Sequence, residues 1–118
     1  MRKIGFVALL LIAGLWACEY ETLAPKEIEL PEVIYFATDL APVFEANCAT
    51  CHSGALSPNF KAAESHAALV NGGFIDTDNP EESKILIKIN IPHPSSDPLS
   101  LTEKAMILKW IEDGAKNN

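Results

Sequence analysis

The chain is poor in the residues that would give it a metal cage, a disulfide framework or a grip on nucleic acid. Three cysteines, two methionines and three histidines occur in 118 residues. Cys48 and Cys51 are the one close pair of cysteines, and no second Cys or His pair stands at the spacing needed to complete a structural zinc site. The βαβ context expected of a thioredoxin-like dithiol is missing as well. Basic residues are scarce, nine Lys and Arg against sixteen Asp and Glu, for a net charge of −7. Nucleic-acid binding rests on neutralising phosphates with basic side chains, so it is not an expected function. No stretch reaches the ~20 apolar residues that cross a bilayer; the longest runs from Ile4 to Cys18. There is no internal repeat and no second catalytic constellation.

What is present is Cys48-Ala49-Thr50-Cys51-His52. Two cysteines three apart, followed at once by histidine, form the attachment signature of a c-type haem. Each thiol adds across a haem vinyl group, and the histidine then lies where its imidazole can bind the iron. Cys48 and Cys51 are therefore the candidate thioether residues and His52 the candidate proximal ligand of one covalent haem c. The competing readings are a C-x-x-C redox disulfide, or half of a zinc site beside an accidental histidine.

The N-terminus speaks to location. Met1-Arg2-Lys3 is a short basic region, Ile4 to Ile12 is almost wholly apolar, and Leu15-Trp16-Ala17-Cys18 follows where cleavage is expected. This is the pattern of a bacterial lipoprotein signal over residues 1–17, with Cys18 as the lipidated first residue of the exported chain. An ordinary secretory signal and a retained anchor are the alternatives. All three cysteines then have a use, one for lipid and two for haem, and no odd thiol is left over. Both motifs place the protein outside the cytoplasm, lipid-anchored to a bacterial membrane and facing the periplasm or the cell surface.

Cleavage leaves 101 residues, enough for one domain. It also removes Arg2 and Lys3, so seven Lys and Arg stand against sixteen Asp and Glu, a net charge of −9. A basic redox partner is compatible with that charge, and so is simple solubility. Residues 18–32 are acidic, contain Pro25 and Pro31, and show no apolar period, which reads as a flexible tether. The domain proper is expected over residues 33–118.

Four short helices are predicted in that domain. Thr38 or Asp39 can cap the first, with Pro42 tolerated in its opening turn and Leu40, Val43, Phe44 and Asn47 at helical spacing. Residues 53–58 read as loop. Lys61 to Asn71 forms the second helix, ending at Gly72-Gly73, with His66 on an apolar stripe of Ala62, Ala63, Leu69 and Val70. Asn79-Pro80-Glu81-Glu82 is a helix start, although Ile85, Ile87 and Ile89 alternate as a strand would. Three prolines exclude regular structure from Ile91 to Pro98. Ser100 and Glu103 form a capping box for a last helix that stops at Gly114, with Met106, Ile107, Trp110 and Ile111 inward.

From about residue 33 to 117 the chain resembles the small monohaem cytochromes c of bacteria. The residues that carry the resemblance are Phe44-Glu45-Ala46-Asn47 running into the Cys48–His52 motif, Leu99 to Lys104, and Trp110-Ile111-Glu112-Asp113-Gly114-Ala115. It implies an all-α, cytochrome c-like domain of about four short helices around a covalently bound haem, with the first and last helices packed across each other. The function it implies is one-electron transfer between periplasmic or membrane redox partners, without substrate chemistry.

The chain departs from that family at the second axial ligand. The family usually places methionine, followed by proline, in the loop before the last helix; here that loop reads Pro92-His93-Pro94. Met1 leaves with the signal, and Met106 lies inside the last helix, where methionine usually fills core. His93 is thus the favoured distal ligand, with φ fixed at both flanking prolines. His66 and Met106 are the alternatives, His66 more simply as a satisfied core histidine. A vacant or displaceable distal position would instead suit a haem-based gas sensor or a minor peroxidase.

Overall fold

The computed structural model describes residues 27–91 and 99–118. The expected signal sequence, Cys18, residues 19–26 of the expected tether and the segment 92–98 that carries His93 lie outside the described residues. Those described are helical, without a strand. Four α-helices follow in order: α1 Ala41–Cys48, α2 Ala62–Asn71, α3 Lys84–Ile89 and α4 Leu101–Glu112. A π-helical turn, Phe36–Leu40, runs directly into α1, and a 3-10 turn, Pro80–Glu82, precedes α3. No helix among the described residues is long and apolar enough to cross a membrane.

The π turn is a consequence of Pro42. Proline offers no N–H and its ring crowds the carbonyl four residues back, so the preceding turn widens and Ala41 N–H donates to the carbonyl of Phe36. Helical structure therefore begins at Phe36, two to three residues before the expected cap. Asp39 works in the other direction, its carboxylate accepting the N–H of Tyr35 at 2.7 Å.

Two helices end as glycine placement requires. After α2, Gly73 takes φ +68, and the N–H groups of Gly73 and Phe74 return to the carbonyls of Val70 and Leu69. After α4, Gly114 takes φ +95, and Gly114 and Ala115 return to Ile111 and Trp110. Both are Schellman closures, which satisfy carbonyls that the helix itself leaves unpaired. At the start of α4, Glu103 N–H donates to Ser100 Oγ at 3.2 Å while Ser100 N–H donates to the Glu103 carboxylate at 2.7 Å, the expected capping box.

Two expectations need correction. Asn79-Pro80-Glu81-Glu82 makes only a 3-10 turn; Ser83, at φ −54 and ψ 129, breaks it, and α3 begins at Lys84. The reason is tertiary. Ser83 is buried, and its hydroxyl accepts from Asp76 N–H at 2.9 Å and donates to Asp76 carbonyl at 3.2 Å, a closure a continuous helix would not permit. α3 itself is helical, with Ile85 and Leu86 buried and Ile87 exposed, so the Ile85, Ile87, Ile89 alternation does not mark a strand. On α2 the inward stripe is Ala62, Ser65, His66 and Leu69, while Ala63 and Val70 face solvent. Positions i, i+3, i+4 and i+7 share a helix face; Ser65 can lie on it because its hydroxyl donates to Ala62 carbonyl at 3.1 Å.

The core is built on Phe36, Leu40 and Phe44 from the first helical run, Phe60 and Leu69, Ile85 and Leu86, and Ile107, Trp110 and Ile111. Phe36 meets Trp110 with ring centroids 5.0 Å apart, so the last helix packs on the opening turn of the first. Asn118 fastens the same place: its side chain accepts Phe36 N–H at 2.9 Å and its carbonyl accepts Ala37 N–H at 3.0 Å.

The Asp76 turn carries a pH signature. The N–H of Asn79, and then that of Asp78, donate to Asp76 Oδ1 at 2.9 and 3.0 Å and hold its carboxyl below the ordinary aspartate range. A depressed folded-state value stabilises the fold above the unfolded pKa of ~3.9 and loses that contribution as pH falls through the folded value. Asp76→Asn should therefore melt below the wild type at pH 7, with the two melting curves converging in acid. A melting difference that persists unchanged in acid would remove the charge from this account.

Candidate cofactor site

α1 ends on the motif. The carbonyl of Cys48, its last residue, accepts from Cys51 N–H at 3.2 Å and from His52 N–H at 2.9 Å, which adds one more turn beyond the helix. Cys51 and His52 thus stand three and four residues past Cys48, positions that neighbour one another on a helical surface. Cys48 is half-buried against the core, and burial pushes its thiol pKa up. Cys51 is exposed, and neither cysteine is in a disulfide.

His52 is held from its far side by the loop that follows. Its Nδ1 lies 3.2 Å from the carbonyl of Pro58. A carbonyl only accepts, so Nδ1 carries the hydrogen, and the lone pair of the neutral ring is on Nε2. Metal-binding histidines are commonly oriented this way, one ring nitrogen donating to a backbone carbonyl while the other serves the metal. Phe60 completes the arrangement: its N–H donates to His52 carbonyl at 2.7 Å, and its ring meets the imidazole edge-on at 5.5 Å and stacks on Phe44 at 5.0 Å. The loop of residues 53–59 is therefore closed on His52 through both backbone and ring, and the histidine is tied through Phe60 to the core.

The other candidate ligands are dispersed. His66 on α2 packs edge-on to Phe36 at 5.0 Å and Trp110 at 5.8 Å, and its Nε2 lies 2.9 Å from the carbonyl of Ala115. By the same reasoning Nε2–H donates there, so His66 is a hydrogen-bonded core histidine joining α2 to the end of α4. Met106 is half-buried on α4 and packs against the core. His93 lies outside the described residues, as does Cys18.

Pro58, Phe60 and Ala115 are the partners of His52 and His66 that sequence reasoning did not identify as such. A carbonyl has no residue type, so nothing in the sequence marked Pro58 or Ala115 as a histidine's partner. Phe60 carried a signal, an isolated aromatic between a polar loop and a helix. Cavities of about 280 Å³, beside Ile34 and Trp110, and about 340 Å³, between α3 and α4, are lined by neither Cys48, Cys51 nor His52. Among the described residues no three or more His, Cys, Asp or Glu side chains converge as a metal-binding group. A zinc site needs such convergence; a pair of thioethers with one imidazole ligand does not.

Comparison with family models, with curated proteins and with solved structures finds no match to this chain, so its function is read from the site itself.

Proposed function

We propose that this protein is a monohaem c-type cytochrome that carries single electrons between redox partners at a bacterial membrane, anchored through lipid on Cys18. The observation that carries the reading is the turn that closes the motif on the end of α1, where the Cys48 carbonyl accepts from Cys51 and His52 N–H, the His52 ring is anchored at Nδ1 by the Pro58 carbonyl, and neither cysteine is in a disulfide. Cys48 and Cys51 would hold the macrocycle and His52 would be the proximal ligand. A haem bound there supplies a reversible one-electron couple. The chain's contribution is orientation: Pro58 fixes the imidazole tautomer, Phe60 ties it to the core, and half-burial of Cys48 seats one attachment point against apolar side chains. The edge-on packing of the His66 ring on Phe36 and Trp110 speaks for a core histidine, and His93, just before α4 in the sequence, stays the favoured distal ligand.

The test is expression with haem-maturation machinery. The mature protein should gain the mass of one haem, resistant to acid extraction, and show sharp α and β bands on reduction. A mature chain of unmodified mass sinks the proposal. His93→Ala should turn a low-spin spectrum high-spin and open the iron to carbon monoxide, whereas His66→Ala should leave the spin state alone and cost roughly 1 to 2 kcal/mol of stability through lost packing and polar contact. A wild-type spectrum that is high-spin from the start would instead favour the gas sensor or minor peroxidase.

A further inference from the structure

The way α2 stops leaves a labile pair of residues at its end. Seven asparagines occur in the chain, and Asn71 alone is followed by glycine. Phe74, packed against the core, forces that glycine: a β-carbon on residue 72 would run into the Ala68 carbonyl and come within 2.8 Å of the Phe74 ring. Gly73 follows at φ +68, the left-handed residue that closes the helix. What stands after Asn71 is thus set by the helix stop.

An asparagine before glycine is chemically weak, because the glycine nitrogen has no β-carbon beside it to keep it from the side-chain carbonyl. The Gly72 nitrogen bonds to Cγ of Asn71, ammonia leaves, and a five-membered succinimide results. Water then opens either carbonyl of that ring to give aspartate or isoaspartate, with no oxidant or reductant consumed. Asn71 is exposed, so water and base reach it. Asn47, Asn59, Asn90 and Asn117 precede residues that carry a β-carbon, and Asn79 precedes Pro80, which has no N–H.

The fold stands against this reaction. Asn71 is the last residue of α2; Gly72 N–H donates to the carbonyl of Ala68 at 3.2 Å, and Gly73 and Phe74 N–H return to Val70 and Leu69. Closing the succinimide ring needs the Gly72 nitrogen deprotonated and turns ψ of Asn71 away from its helical value, and both break the bond to Ala68. We infer that Asn71 is a deamidation site gated by the last turn of α2, intact while the turn is closed and converted when it opens. Either product places a negative charge at the helix end that repels it. Isoaspartate also adds a backbone carbon ahead of the closure, on the helix that carries His66.

The inference stands apart from the haem reading, and its test reads mass. The mature protein, shown to be folded by circular dichroism, is incubated at mildly alkaline pH beside the same chain in guanidinium. Trypsin then releases the peptide from Ala62 to Lys84, which carries both Asn71 and Asn79, and fragment masses locate the change from amide to acid. The unfolded chain should convert at Asn71 well ahead of every other asparagine. The folded chain should convert about tenfold more slowly, the ratio reporting how seldom the last turn opens. Gly73→Ala puts a β-carbon at a left-handed φ with open space around it, which strains the closure without a clash. It should speed conversion of the folded chain several-fold and leave the unfolded rate unchanged. Equal rates in folded and unfolded wild type overturn the gate, as does a folded Gly73→Ala protein that converts no faster than wild type. An unfolded chain that converts no faster at Asn71 than at Asn90 removes the site itself.

Discussion

On the proposed haem reading, Cys48→Ser/Cys51→Ser should abolish covalent haem and, with it, accumulation of the folded domain. A domain of this size buries a smaller fraction of its chain surface than a larger one and has correspondingly less core to stabilise it. A ligand that binds only the folded state adds its binding free energy to folding, so losing it lowers stability by the same amount. The single variants should differ. Cys48 packs against the core and Cys51 is exposed; Cys48→Ser should therefore lose more stability than Cys51→Ser, which should keep one thioether. Intact mass and thermal melting of the four proteins decide the matter. A double variant that folds and melts like wild type would show that the cofactor does not support the fold.

Trp110→Ala should be the most damaging single change in the core. Trp110 is 1 % exposed, packs on Phe36 and His66, and donates its Nε1–H to the carbonyl of Lys116 at 2.8 Å. Truncating a buried tryptophan costs about 3 to 5 kcal/mol, a large part of the 5 to 15 kcal/mol that typically separates folded from unfolded chains. The loss should also reach the neighbours. Without the indole, α4 no longer bears on Phe36, and the end of α4 that receives His66 loses its support. Trp110→Phe keeps most of the packing and gives up the Nε1 hydrogen bond, for about 1 kcal/mol. Chemical denaturation of the three proteins should rank them wild type, Phe, Ala; an Ala variant within 1 kcal/mol of wild type would mean that the two helices are held together elsewhere.

The sequence by itself determined the local features of this molecule. The Ser100 and Glu103 box, the glycine closures after α2 and α4, the loop after His52 and the inward Ile107, Trp110 and Ile111 all follow from rules that act within a few residues, through orphan N–H and carbonyl groups, positive φ and helical spacing. The Cys48, Cys51 and His52 motif is of the same kind, three side chains whose spacing marks a candidate haem attachment site. What the tertiary structure decided depends on groups distant in sequence, or on backbone atoms that have no residue type. Ser83 interrupts a well-signalled helix because Asp76, seven residues back, needs its hydroxyl. His66 already read from the sequence as more simply a satisfied core histidine than a ligand; what satisfies it, the carbonyl of Ala115 forty-nine residues away, only the fold supplies. His52 was legible as a candidate ligand from its position, but the ring nitrogen that is tied to backbone is set by the carbonyl of Pro58, which only the closure of the loop brings within reach.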